Sequence, residues 1–385
     1  MPGWKSARRT SANTASAPEP QRRNPVRITA ARLQPYALPL KAEWLSAAGN
    51  ISIRSGWLLR LETDSGLVGY GECAPLQSHG TENAAAAEHA LGQWVTTLPG
   101  QIAETALAEL AAPGTFATPA ARAAVESALL DLHAQQADLP LAAYLCRHES
   151  PQQIAVNAML GAAITVGNAA IADAVRAGFG VIKLKVGLAS VVEEIDALRR
   201  IASLLPTGVA LRLDANRAWT MAEAEYFCPA LTGLPIESLE EPLAQPGAER
   251  LRKLGQALPF CLALDESWHH FAPESLFEQQ PVRRLVLKLA PCGGLLPAWN
   301  MAQRAAAAGI ECVLTTGLDS ACGTLAAAHL AAVIDRGGNR GLAHGLATSA
   351  WLGSDTGEVP VIDKGCLQLP DSSGLGFRPR AGVCA

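Results

Sequence analysis

The chain has 385 residues, 49% hydrophobic and 17% charged, which is enough apolar material for a large core and too little charge to favour an expanded coil. Thirty-one basic and 35 acidic residues leave a net charge of −4, which excludes the basic footprint of a nucleic-acid partner. No apolar run reaches the ~18 residues of a membrane span, and nine scattered cysteines without a Cys-x-x-Cys pair argue for reduced thiols in a cytoplasmic setting.

In chain order, residues 1–25 set Lys5, Arg8, Arg9, Arg22 and Arg23 against Glu19 alone. With no apolar core, this stretch is not a secretory signal; it reads as a disordered tail, with a transit peptide as the alternative. Residues 26–150 form an expected α+β domain. Trp57–Leu61 and Leu67–Tyr70 flank the turn Asp64-Ser65-Gly66 as a hairpin. Helical patterns follow at 81–95 and 101–111, and a helix to Ala137 is expected to start with Thr118 as N-cap and Pro119 in its first turn.

From 151 to 350 short apolar strands alternate with helices. Strands are expected near 154–158, 181–186, 210–215, 237–241, 261–265, 284–289, 311–315 and 341–345. Gly178 and Gly309 close helices, and Thr220 with Glu223 forms a capping box. This is the pattern of a parallel β/α barrel, with an open doubly wound sheet as the alternative. Residues 351–385 remain as a C-terminal segment.

Charged residues recur at the strand ends: Lys183 and Lys185, Asp214, Glu240, Asp265 and Lys288. From Lys185 onward the intervals are 29, 26, 25 and 23 residues, each about one βα unit, so one rim of the barrel collects the charge. Strand alternation selects the inward residues. Apolar neighbours in alternation send Lys183, Lys185, Asp214 and Lys288 to the lumen, and the same rule prefers Glu240 over Glu241 and Asp265 over Glu266.

Three converging carboxylates repel one another unless a cation lies between them, and an all-oxygen set suits Mg²⁺, with Mn²⁺ as substitute. A lysine must be neutral to accept a proton, and neighbouring positive charge lowers its pKa. The pattern therefore fits removal of a proton α to a carboxylate, with a small-molecule carboxylate as the partner. Asn216 stands ready to support metal or substrate. A metal-free Schiff-base lysine is a competing chemistry. His269 and His270 read as exposed loop residues, and Cys292-Gly293-Gly294 as either a tight turn or a close approach to ligand.

The stretches Val181–Gly187, Leu211–Trp219, Leu239–Leu243, Leu262–Ser267 and Val286–Leu289 resemble the enolase superfamily, muconate-lactonising subgroup. Gly69–Leu76 and Ala121–Leu132 extend the likeness to about residues 26–370. The resemblance implies an α/β fold: a modified (β/α)7β barrel under an α+β capping domain built from the N-terminal region and the C-terminal tail. Within the subgroup, Leu211–Trp219 and Leu314–Gly323 are most similar to the o-succinylbenzoate synthase family, a group of hydro-lyases of menaquinone and phylloquinone biosynthesis. That likeness implies dehydration of a cyclohexadiene carboxylate. Lys185 would be the base and Lys288 a charge on the enediolate, with Lys183 beside them. Asp214, Glu240 and Asp265 would hold Mg²⁺. The turn Thr315, Thr316, Gly317, Asp319 and Ser320 would hold a distal carboxylate through backbone N–H groups. Epimerases and racemases of the same superfamily are the alternative, since they use the same charged residues. The loop Gln77–Asn83 departs from the commoner pattern of the subgroup.

Overall fold

The computed structural model describes residues 24–44, 50–256, 258–337 and 341–380; the tail at 1–23 lies outside them. Strands β1 (Ile28–Trp44), β2 (Ile51–Thr63) and β3 (Val68–Cys73) form an antiparallel sheet in that order. The hairpin turns where expected, with Gly66 at φ +81, a backbone region costly for any residue with a Cβ. The helix Pro119–Ala137 lies across this sheet and is buried from Ala120 to Ala134. Its fit depends on two glycines of β3: a Cβ on Gly71 would stand 1.9 Å from the Ala124 carbonyl oxygen, and one on Gly69 2.3 Å from that of Ala128.

The two preceding helices run Ala84–Thr97 and Ala103–Glu109. Thr118 does not cap the long helix with its side chain. Glu82 does so instead, accepting from the N–H groups of Ala120 and Ala121 at 3.0 and 2.8 Å. A carboxylate beside the first turn also complements the helix dipole.

The barrel is one parallel sheet of seven strands. The expected first strand divides: β4 (Gln153–Ala155) leaves the barrel, and β5 (Ala158–Ala162) begins it. β6 (Val181–Lys185), β7 (Ala210–Asp214), β8 (Ile236–Glu240), β9 (Cys261–Leu264), β10 (Arg284–Leu287) and β11 (Glu311–Leu314) follow in spatial order. The eighth expected strand, 341–345, makes no ladder. His344 bridges Val156 and Gly345 bridges Thr315, so single contacts close the sheet. Both helices with a capping-box sequence use it: Thr220 with Glu223, and also Ser190 with Glu193.

The alternation rule is visible in the packing. Ile182, Leu184, Leu211, Leu213, Leu239, Leu262, Leu264, Leu285 and Leu287 join the core formed with the outer helices. Ala263, Val286 and Val313 form a separate cluster, the inward-facing set of neighbouring strands. Burial of each such leucine contributes roughly 1.5–3 kcal/mol, so a register slip that turned them inward is strongly disfavoured.

Past β11 the chain forms β12 (Ile362–Asp363) and β13 (Cys366–Gln368), and β13 pairs with β4. It then reaches the capping domain, where Asp131 of the long helix accepts from the Leu375 N–H at 2.8 Å. The Cys292-Gly293-Gly294 turn also serves the domain contact. The Gly293 carbonyl accepts from Arg122, and a Cβ on Gly294 would stand 2.1 Å from Glu126 Oε2. The close approach is to the capping helix, not to a ligand. His269 and His270 are exposed, no disulfide joins the eight described cysteines, and no described helix is long and apolar enough to cross a membrane.

Candidate active site

Lys183, Lys185, Asp214, Asn216, Asp265, Lys288, Thr315 and Thr316 line one cavity at the carboxyl ends of the strands. Glu240 reaches the same cluster through Lys183. Trp44 and His79 complete the wall from the capping domain. A cavity of about 870 Å³ beside the amino end of β11, lined by Leu145, Trp299, Ile310 and Val333, is roomier, but its charged lining is Glu311 with Arg147 and Arg336, and it holds no lysine. The chemistry belongs to the smaller one.

The three lysines are held differently. Lys183 bonds Glu240 and lies 3.1 Å from Asp214 Oδ2; burial lowers its pKa, but Asp214 and Glu240 more than offset this and the net shift is upward. Lys288 donates to both oxygens of Asp265 and, at 3.2 Å, to Glu266. Its burial is likewise outweighed, by Asp265 and Glu266, so it too is held as an ammonium. Among the described residues no carboxylate lies within ion-pair distance of Lys185. It donates to Asn216 Oδ1 at 2.9 Å and lies 5.0 Å from the centre of the Trp44 ring. Burial drives its pKa down and the ammonium groups of Lys183 and Lys288 add to that, against the pull of Asp214 and Glu266. Proximity of charge thus separates the pair Lys183 and Lys185, which the sequence treats alike.

Asp214, Glu240 and Asp265 are 4%, 1% and 6% exposed, so each charge depends on a partner. Burial and then Glu266 work against charge on Asp265, with Lys288 and Lys183 opposing them, and a cation among these acids would favour the charged form. Among the described residues no three His, Cys, Asp or Glu side chains are gathered as a ready-made metal cluster; Lys183 and Lys288 lie among the acids. The donor set is nonetheless all oxygen, acidic and buried, which fits a hard divalent ion. Glu241, just past the end of β8 at φ +45, points away from the cavity, accepting from the N–H groups of Asp265 and Ser267 and from the Ser267 hydroxyl.

Glu266 does not follow the rule. β9 ends at Leu264 and Asp265 turns at φ −107, ψ −97 into a short 3-10 helix, so alternation stops one residue before Glu266 and its carboxylate swings to Lys288. His79 Nε2 lies 3.6 Å from Glu266 Oε1, and burial followed by Lys288 lowers its pKa well below the ordinary value, keeping the ring neutral. Trp44 packs edge-on against Trp351 at 4.9 Å. Only the unusual Gln77–Asn83 loop signalled His79 in advance; nothing in the local sequence marked Trp44.

Several donors of the turn after β11 are engaged within the protein. Thr316 N–H and both threonine hydroxyls donate to the Gly345 carbonyl. The Gly317 carbonyl accepts from Arg54, Asp319 faces Arg54 at 3.8 Å, and the Ser320 N–H and hydroxyl donate to Glu72. Thr315 and Thr316 line the cavity; Gly317, Asp319 and Ser320 are turned to the capping domain.

A parallel β/α sheet with acids and amines gathered at its carboxyl ends, beneath an antiparallel cap, defines a barrel-enzyme architecture. Residues 29–146 match the N-terminal domain of the mandelate racemase / muconate lactonizing enzyme family, and residues 167–383 match the enolase C-terminal domain-like family. The chain is 31% identical over 363 residues to the hydrophobic dipeptide epimerase of Enterococcus faecalis, spanning 91% of this chain and 99% of that one. A crystal structure of the dipeptide epimerase from E. faecalis V583, complexed with Mg and the dipeptide L-Leu-L-Tyr, matches with a TM-score of 0.80 at 26% identity, covering 91% of this chain and 99% of that one. The muconate lactonizing enzyme from Pseudomonas fluorescens matches in fold, with a TM-score of 0.82 at 24% identity and coverage of 94% and 98%. The chain belongs to the mandelate racemase / muconate lactonizing enzyme family and is an enzyme of the enolase superfamily. The o-succinylbenzoate synthase expectation is overturned: the relatives of this chain include a hydrophobic dipeptide epimerase, an L-Lys-D/L-Arg epimerase, a D-Ala-D/L-Ala epimerase and an L-Ala-D/L-Glu epimerase, beside an N-succinyl-L-Arg/Lys racemase and chloromuconate cycloisomerases.

Proposed function

We propose that this enzyme epimerises or racemises the α-carbon of a small carboxylate of the dipeptide or N-acylamino acid type. The observation that carries the reading is the unequal pair Lys185 and Lys288, which line one cavity from β6 and β10, strands on opposite sides of the sheet with three others between them. Lys185, with its lowered pKa, is the amine that takes the α-proton from one face. Lys288, kept as an ammonium by Asp265 and Glu266, returns a proton to the other face. One C–H bond breaks and another forms, and the two amines exchange protonation states, to be reset by solvent. The epimerase relatives support the same reading.

Asp214, Glu240 and Asp265 would hold Mg²⁺, which when bound supplies positive charge where the substrate carboxylate gains negative charge. Lys183 binds Asp214 and Glu240 and so acts on the acidic wall rather than on the α-carbon. Asn216 accepts from Lys185 and donates its N–H to Asp214 Oδ1 at 3.1 Å, fixing base and acid relative to each other. Trp44 and Thr316 form apolar and polar walls for the substrate.

The test is a panel of L,L-dipeptides and N-succinylamino acids incubated with Mg²⁺ or with excess chelator, followed by chiral chromatography. Inversion of at least one member with Mg²⁺, lost with chelator, is expected. Failure of the metal-loaded protein to invert any member would remove the proposal, and a trapped borohydride adduct would return the Schiff-base chemistry.

A further inference from the structure

A largely buried charged cluster lies outside the catalytic cavity, at the seam between cap and barrel. Glu72, on β3, accepts from the Ser320 N–H at 2.9 Å, from the Ser320 hydroxyl at 2.7 Å and from the Gly323 N–H at 2.7 Å. Those N–H groups begin the helix Ala321–Arg336, whose own N-cap Ser320 makes no side-chain capping bond. Such groups are ordinarily satisfied by a neighbouring side chain of the same segment; here the carboxylate comes from the other domain, and its negative charge suits the helix dipole. The fit is close. A Cβ on Gly323 would stand 2.9 Å from Glu72 Oε2, and one on Gly56 would stand 2.5 Å from the hydroxyl of Tyr36, which donates to Glu72.

Arg54 completes the cluster. It is 4% exposed, and its guanidinium donates to the carbonyls of Gly317 at 3.0 Å, Pro75 at 2.9 Å and Ala74. One side chain therefore ties together two loops that end in cavity walls. The cap loop carries His79, and the barrel loop carries Thr315 and Thr316.

The geometry points to a latch: Tyr36, Arg54 and Glu72 are positioning residues that fix the cap on the loop after β11 and so set the width of the substrate cavity. None of the three lines that cavity, so their effect on turnover passes through His79 and Thr316. The activity arm of the test rests on the proposed reaction; the exchange arm does not.

The test compares Glu72→Gln and Arg54→Lys with the unaltered full chain in Mg²⁺. Amide hydrogen exchange across 317–324 is expected to quicken about tenfold or more, because charge-assisted hydrogen bonds that hold the turn are lost. KM for the inverted substrate rises about tenfold while kcat changes less than about threefold, the signature of lost binding geometry rather than lost chemistry. Exchange and KM both unchanged in both variants would overturn the latch, as would a collapse of kcat with KM unchanged. Should Glu72→Gln fail to fold, Tyr36→Phe, which removes one hydroxyl, carries the same comparison with a smaller shift. If the unaltered enzyme inverts no substrate, the proposed reaction fails while hydrogen exchange still decides the latch.

Discussion

The lumen of the barrel holds two buried charge clusters, and they are built from different cations. At its floor, Arg212 pairs with Glu237 through two hydrogen bonds of 3.0 and 3.1 Å and reaches Asn157 at 3.2 Å. Arg284 bonds Glu237, Ser238 and Glu311. At the mouth the cations are lysines. Arginine keeps its charge and its planar fork satisfies several acceptors at once, whereas a buried lysine shifts its pKa with its neighbours. The floor is thus a fixed scaffold and the mouth a titrating one. Arg212 leads by two residues to Asp214 on β7, and Arg284 by four to Lys288 just past the end of β10, so each strand passes from scaffold to chemistry within one or two inward positions.

The largest effect is expected at the mouth: Lys185→Met should lower kcat by roughly a thousandfold, within the range for a lost general base, with Tm unchanged by thermal melting. At the floor, Arg284→Met should leave activity per folded molecule nearly intact but cost about 3 kcal/mol in urea unfolding, because Glu237 keeps a largely buried charge with one partner fewer. Adding Glu237→Gln should recover part of that loss, and no recovery would mean that the pair does not act as a unit. Burial raises Glu237, but Arg212 outweighs it and leaves the pKa at about 2. The floor's stabilisation is therefore present above the unfolded value of ~4.3 and is lost as pH falls towards the folded one.

A smaller effect is expected at the latch. Burial, then Glu72, raises Asp319 to about 7, with Arg54, the Gly317 N–H and Lys288 opposing. Because the folded pKa lies above the unfolded ~3.9, ionisation costs stability progressively from about pH 4 to 7, and the cost is complete above that. Asp319→Asn should therefore raise Tm at pH 8 and leave it unchanged at pH 4; an equal shift at both would assign the effect to packing. The smallest change belongs to Glu311→Gln, whose side chain is 45% exposed. Solvent screening limits that pair to below about 1 kcal/mol, and a larger loss would show that the floor extends further towards solvent than its burial implies.

What the sequence revealed follows from periodicity. Spacing of about one βα unit located the charged rim, and leucine alternation separated Glu240 from Glu241, because both are repeating properties of regular strands. Alternation failed at Glu266, where β9 gives way to a 3-10 turn and no period exists to read. It also failed at both margins of the barrel, where β4 joins a small sheet with β13, and His344 closes the seam by single bridges. The latch was less legible still. Glu72, Arg54 and Ser320 are separated by up to 266 residues and meet only through domain packing, so the turn after β11 looked like a place for a substrate carboxylate when the carboxylate it holds is the protein's own. The substrate class was misjudged for the same reason: the charged residues of the mouth encode proton transfer, while the walls that select a substrate come from loops without a repeat.

The division of labour between the two lysines is tested most directly by following α-proton exchange in D2O by NMR, starting separately from each antipode of an inverted substrate, in the unaltered enzyme and in Lys288→Met. The account predicts that the variant still exchanges the α-proton of the one antipode that faces Lys185 and no longer inverts either. Inversion retained by Lys288→Met, or exchange abolished from both antipodes with the fold intact, would contradict it.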